Sequence, residues 1–289
     1  MRVVFSSVLI LITGFHVKLA RGNQRDSVIV KSSIERFVSL GDTLEGILEV
    51  PLNAGKRPLV VFVHGSGRVD RSDYYYYVEK FWKEGYATFR YDKRGVGKSG
   101  GQFLPINQAS SAASLPKLAQ DAHSAVLHLS KNKFIDAQNI MLMGNSQAGW
   151  IIPVAANLGG VSKIIIVSGP AVTVGEEMYY SKLVEFTNEN YSNDQIDELL
   201  SNYSDERGFD PVPYMIELKI PAIWFIGGMD RSIPSARTIK IIQQIGKEYK
   251  KDFEVKEYPY GDHGLRNTIT GQWEELFQDL IPWIKKHER

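Results

Sequence analysis

The chain has 289 residues, 43% hydrophobic and 23% charged, a composition ordinary for a soluble globular protein and enough length for one large α/β domain with a leader and a small insertion. A net charge of +1 gives no electrostatic pull toward nucleic acid or an anionic membrane, so the expected partner is a small molecule. Absence of cysteine removes disulfides, thiol nucleophiles and thiolate metal sites together. The six histidines lack the four-residue pairing of a zinc hydrolase and no segment reads as a calcium loop, so neither metal nor cofactor is expected.

Arg2 and the apolar run Val3 to Ile12 have the form of a signal peptide, too short to span a bilayer comfortably. Ala20 and Gly22 supply the small residues of a cleavage site after Gly22, although Lys18 lies awkwardly close to it. Residues 1–22 are expected to be a removed leader and 23–289 an exported domain, secreted or periplasmic, with no stable membrane insertion. An uncleaved anchor or an ordinary buried strand is the alternative.

Beyond the leader, strand-like and helix-like runs alternate. Ile34 to Leu40 and Thr43 to Val50 read as a hairpin about Gly41-Asp42. Pro58 to Val63 is a continuous apolar run, the mark of a strand buried on both faces. A helix is expected from Asp73 to Glu84 and a strand from Tyr86 to Tyr91. A polar loop from Gly101 to Ser114 should lead into a helix from Leu115 to Lys131. The strand Asn139 to Gly144 and a helix near Gln147 to Leu158 follow, then the strand Lys163 to Val167. Val174 to Met215 breaks the alternation with a polar run and suggests an inserted cap at about 174–215. The strand Pro221 to Gly227, a helix from Ser235 to Ile245, the strand Phe253 to Tyr258 and a helix from Gln272 to Lys286 close the chain. Such alternation means a mostly parallel sheet with helices on both faces, here with an antiparallel N-terminal edge.

In Gly144-Asn-Ser146-Gln-Ala148-Gly149 a buried strand runs directly into a serine, and a helix-forming stretch leaves it. A sharp strand-to-helix turn lifts such a serine above the sheet, and the crowding demands small residues two before and two after it. Gly144 and Ala148 meet that demand, with Ala148 a one-methyl departure from the glycine of the G-x-S-x-G pattern.

With this elbow the chain resembles the α/β-hydrolase superfamily over roughly residues 30–287, and looks most like bacterial serine esterases and their serine-aminopeptidase-like relatives. Four segments carry the resemblance: His64-Gly-Ser-Gly67, Tyr91-Asp-Lys-Arg-Gly-Val-Gly-Lys-Ser-Gly100, the Ser146 elbow, and the late Asp230 and His263 segments. The second segment also imitates two nucleotide motifs. Gly97-Lys98-Ser99 lacks the first P-loop glycine, since position 92 is Asp92. Gly95-x-Gly97-x-x-Gly100 is followed by Phe103 to Ser114, which intervene before any helix can meet a pyrophosphate.

The superfamily order of nucleophile, acid and base implies Ser146, Asp230 and His263. Asp230 directly follows the run PAIWFIG, and His263 lies between glycines in Gly261-Asp-His-Gly264. The oxyanion donors would be the backbone amides of Gln147, next after the serine, and of Ser66, with Gly65 as second choice. His64 should order its loop and do no chemistry. Tyr74 to Tyr77 could line an acyl or alcohol pocket, or simply wrap one helical turn. The expected function is hydrolysis of small carboxylic esters through an acyl-enzyme on Ser146. An aminopeptidase-like or other acyl-transfer hydrolase, with Glu176 or Glu177 holding a substrate amine, is the nearest alternative. A non-catalytic binding or sensor protein on the same fold is the alternative from another class. The sequence carries no mark of oligomeric state.

Overall fold

A computed structural model describes residues 16–19, 28–52, 55–186 and 191–288. The expected leader lies outside the described residues except for His16–Leu19, which form a short strand, β1. It pairs antiparallel with β2 (Ile29–Ser39). β2 and β3 (Asp42–Pro51) make the expected hairpin, but its two-residue turn is Leu40-Gly41, with φ of 51° and 85°. That left-handed pair matches the twist of the strands it joins, and it frees Asp42 to pair with Ser39 one residue earlier than expected.

Then follow β4 (Arg57–Val63), α1 (Tyr75–Lys83), β5 (Ala87–Tyr91) and α2 (Gln108–Leu129). The start of α2 corrects the sequence expectation, because residues 108–114 are helical and not loop. Asn107 Oδ1 accepts from the Ser110 amide while the Ser110 hydroxyl accepts from the Asn107 amide, and this capping box begins the helix. Pro116, which resembles a helix-starting proline, is carried inside it. The chain continues through β6 (Ile135–Asn145), α3 (Ala148–Asn157) and β7 (Lys163–Val167). The polar insertion forms α4 (Val174–Phe186), α5 (Asn193–Ser201) and α6 (Val212–Glu217). β8 (Ala222–Gly227), α7 (Ser235–Glu248), β9 (Phe253–Tyr258) and α8 (Leu276–Lys286) complete it.

Among the described residues these strands form one nine-stranded sheet in the order β1-β2-β3-β5-β4-β6-β7-β8-β9. β1, β2, β3 and β5 pair antiparallel, and from β5 through β4 to β9 the sheet is parallel. Alternate residues of each central strand enter opposite cores, as the two-residue side-chain period requires. Leu59, Val61 and Val63 face α2 and α3, whereas Val60 and Phe62 face α1 and α8. Burial of each such side chain stabilises the fold by roughly 1.5–3 kcal/mol. Among the described residues, no helix is long and apolar enough to cross a membrane.

Candidate active site

The parallel strands all end on one edge, where the loops after β4, β5, β6, β8 and β9 gather. Ser146 follows β6 there with φ 53°, and its amide donates to the Val167 carbonyl at 2.9 Å. A left-handed non-glycine residue is strained by roughly 1–2 kcal/mol, so the turn is held by its surroundings. The crowding is visible at Gly144, where an added Cβ would lie 2.4 Å from the Val63 carbonyl oxygen and 2.5 Å from the Ala148 Cβ. At Gly149 it would lie 2.8 Å from the backbone of Gly169. The small residues let α3 leave the sheet immediately behind the serine.

Asp230 and His263 meet from separate loops. Gly227 and Gly228 make the meeting possible: a Cβ on Gly227 would lie 2.4 Å from the Gly261 and Asp262 carbonyl oxygens. The Gly228 amide donates to Tyr258 O at 2.8 Å and the Met229 amide to Gly261 O at 2.9 Å, lacing the two loops together. Asp230 Oδ2 lies 2.8 Å from His263 Nδ1, and its other oxygen accepts the amides of Ser232 and Ile233 at 2.7 and 3.1 Å. The Asp230 carboxylate is fully buried, whereas a third of the His263 ring remains accessible. Burial alone would lower the His263 pKa. The Asp230 carboxylate, with weaker help from Glu177 and Asp262, outweighs it and holds the imidazole above its ordinary value. Asp262, adjacent in sequence, turns away and accepts the Gly264 and Arg266 amides at 2.9 and 2.8 Å.

The turn after β4 carries the other expected residues. The Ser66 and Gln147 amides make no hydrogen bond among the described residues. The Gly65 amide is engaged by the Tyr74 hydroxyl, which also reaches Val63 O at 2.9 Å and Asn145 Oδ1. His64 is buried and serves its loop: burial depresses its pKa to about 4, so the neutral ring donates Nε2–H to Tyr91 O at 2.5 Å.

Helix α4 closes over Asp230. The Tyr180 hydroxyl donates to Asp230 O at 2.7 Å and the Ser181 hydroxyl to Ser232 O at 2.9 Å. Of the two glutamates singled out in sequence, Glu176 is structural. Its carboxylate accepts the Thr173 amide and hydroxyl at 3.0 and 2.7 Å and pairs with Arg237 at 3.2 Å. Glu177 makes no side-chain hydrogen bond among the described residues, and burial raises its pKa to about 7, with His263 and Asp230 as its electrostatic neighbours. Beside Asn145 and Gly264 opens a cleft of about 450 Å³ lined by Tyr74, Tyr76, Tyr77, Trp273 and Phe277. Three of the four tyrosines therefore do line a pocket, while Tyr75 does not.

The nucleotide look-alike segment is occupied by ion pairs. Asp92 accepts Arg71 at 2.6 Å and the Lys98 amide at 2.7 Å, and Arg94 pairs with buried Asp121 at 2.5 Å and with Asp42. Elsewhere Asp252, Glu254 and His287 come together, but Lys286 holds Glu254 at 2.6 Å and His287 lies 3.2 Å from Asp252.

A parallel sheet whose carboxyl edge presents a left-handed serine, with a late histidine bonded to a buried aspartate, is the architecture of a serine hydrolase of the α/β-hydrolase fold. Within that class the chain belongs to the prolyl oligopeptidase family, whose model matches residues 73–288. Its architecture is similar to that of an α/β-hydrolase from Penicillium sp. (TM-score 0.63, 18% identity, covering 89% of this chain and 98% of that one). It is also similar to an esterase from Pyrococcus furiosus (TM-score 0.61, 17% identity, 88% and 92%). An acylaminoacyl peptidase from Pyrococcus horikoshii matches at TM-score 0.67 and 18% identity over 96% of this chain, which spans only 49% of that enzyme. No curated protein matches the chain in sequence.

Proposed function

We propose that the protein is a carboxylesterase in which Ser146 attacks the ester carbonyl, His263 takes its proton, and Asp230 fixes the imidazole tautomer. The observation that carries this reading is the 2.8 Å contact between Asp230 Oδ2 and His263 Nδ1. It leaves Nε2 as the nitrogen free to work as base. The unpaired amides of Ser66 and Gln147 would hold the oxyanion, and no cofactor enters the reaction. Collapse of the tetrahedral adduct breaks the ester C–O bond, and the departing alcohol takes the proton back from His263 Nε2. Water, with the neutral His263 again as base, then hydrolyses the acyl-enzyme and frees Ser146. The aromatic cleft beside Asn145 and Gly264 suits an apolar part of a small ester. Export with removal of residues 1–22, which would take β1 away and leave β2 as the edge strand, belongs to the same proposal, and mass spectrometry of exported protein should find an N-terminus near Asn23.

A second reading, an aminopeptidase-like hydrolase, is favoured by one observation. Glu177 stands unpaired near His263 and could receive a substrate ammonium. Labelling by a fluorophosphonate, lost in Ser146→Ala, tests the nucleophile. Turnover of short-chain nitrophenyl esters against amino-acid anilides separates the two readings, and no labelling of the folded wild type would sink both.

A further inference from the structure

Lys93 lies in the run Asp92-Lys93-Arg94 after β5, and it differs from both neighbours in what it meets. Asp92 and Arg94 are paired with opposite charges. Lys93 is 2% exposed, and among the described residues no carboxylate touches its ammonium. Instead Nζ donates to Gly65 O at 2.8 Å, to Gly67 O at 3.2 Å and to Gln147 Oε1 at 2.9 Å. Its donors thus join the turn after β4 to the residue after Ser146. These are the two segments whose amides are free. An apolar side chain would fill the same space without the desolvation of a cation, so the retained ammonium points to a use for its charge and its three donors.

We propose that Lys93 is a positioning residue for the oxyanion hole, holding the Ser66 and Gln147 amides at a fixed spacing and adding a positive charge to the loops that carry them. The inference rests on the hydrolytic reading of Ser146. Preorganised donors stabilise an oxyanion because they need no reorganisation when the charge develops, and a tie between their two loops supplies that rigidity. Burial also pushes the Lys93 ammonium down to about 8, so the tie weakens as the amine loses its proton. The charged or titratable groups around it are few. His64 is neutral above about 4, and Arg68 lies across the Phe103 ring that Lys93 also approaches. Asp92 is turned to Arg71.

The test compares wild type with Lys93→Met by kcat and KM on a short-chain nitrophenyl ester from pH 6 to 10. It adds affinity for an alkyl boronic acid, which forms a tetrahedral adduct with the serine, and amide exchange at Gly65 to Gly67. The variant should lose ~10- to 100-fold in kcat and in boronate affinity, somewhat less than deletion of an oxyanion donor, with KM within ~3-fold. Wild type should show an alkaline limb near pH 8 that the variant lacks, and exchange at Gly65 to Gly67 should quicken. Unchanged kcat and boronate affinity in a folded variant, or a loss confined to KM, would overturn the proposal. Where Lys93→Met does not fold, Gln147→Met cuts one of the three contacts and keeps the amide. Unchanged kcat there, with no wild-type limb near pH 8, is equally decisive against it. If the wild type neither turns over esters nor labels at Ser146, the esterase reading fails by itself. Exchange at Gly65 to Gly67 then decides the tie: faster in Lys93→Met supports it, unchanged overturns it.

Discussion

The carboxylate of Asp230 and the imidazole of His263 meet at 2.8 Å although they lie 33 positions apart in sequence, while Asp262, adjacent to that histidine, bonds backbone amides instead. Replacing the acid by an amide permits the wrong tautomer, which in a serine-protease triad costs on the order of 10⁴ in kcat. Asp230→Asn should therefore lower kcat by roughly 10² or more, and Asp262→Asn by less than about 10-fold. Steady-state kinetics on both folded variants checks this, and the reverse ranking would unseat Asp230.

Ser146 combines the proposed chemistry with a φ of 53°. Ser146→Ala should abolish ester turnover with a nearly unchanged melting temperature, because the methyl fits where the hydroxymethyl did. Ser146→Gly should be equally inactive yet more stable than the alanine variant by about 0.5–1 kcal/mol, since glycine adopts this φ without Cβ strain. Equal stability of the two variants would show that the elbow stores no strain.

The elbow should tolerate change asymmetrically. A methyl on Gly144 meets the Val63 carbonyl at 2.4 Å, a backbone atom with no room to yield. Gly144→Ala is expected to destabilise by ~1–3 kcal/mol or more and to lower activity. Ala148→Gly, which adds no atom to the turn, should keep activity within a few-fold and cost up to about 1 kcal/mol for glycine in a helix. Thermal melts and ester assays on both variants test the contrast.

Acidity near His263 has a definite sign. Its pKa is held above the ordinary value, and only the neutral ring is a base, so kcat/KM should fall below a midpoint above about 6.5. Glu177 contributes to that elevation, and Glu177→Gln should move the midpoint to lower pH. The Glu177 carboxyl is itself raised from an ordinary 4.5 to about 7. The folded state therefore binds the extra proton between those values, and that stabilisation is lost as pH rises through 7. Glu177→Gln should match wild type in stability below pH 4.5 and exceed it above pH 7. A stability difference independent of pH would contradict the burial of this carboxyl.

Arg94 is 6% exposed at the side chain and bonds Asp121, which is 1% exposed. Arg94→Ala leaves an unpaired buried carboxylate and should destabilise by roughly 3–5 kcal/mol, measured by denaturant unfolding.

Periodicity and punctuation alone determined much of this protein. Lys163–Val167 and Phe253–Tyr258 are strands over the ranges their apolar pattern marks, because a strand buried in a parallel sheet must be apolar on both faces or on its core face. The serine between Gly144 and Ala148 was legible for a steric reason that acts within five residues. Local pattern misled where capping competed with composition: Asn107 and Ser110 start α2 seven residues before Leu115, in a stretch whose serines read as loop. It misled again at the hairpin, where Leu40 takes a left-handed φ that its side chain does not advertise. Tertiary structure alone separated Glu176, absorbed by Arg237, from unpaired Glu177, and it alone brought Lys93 to Gln147 across 54 positions of sequence. The reason is physical. Side-chain period and turn chemistry are written in neighbouring residues, whereas the partner of a buried charge is set by which loops the folded sheet brings to the same edge.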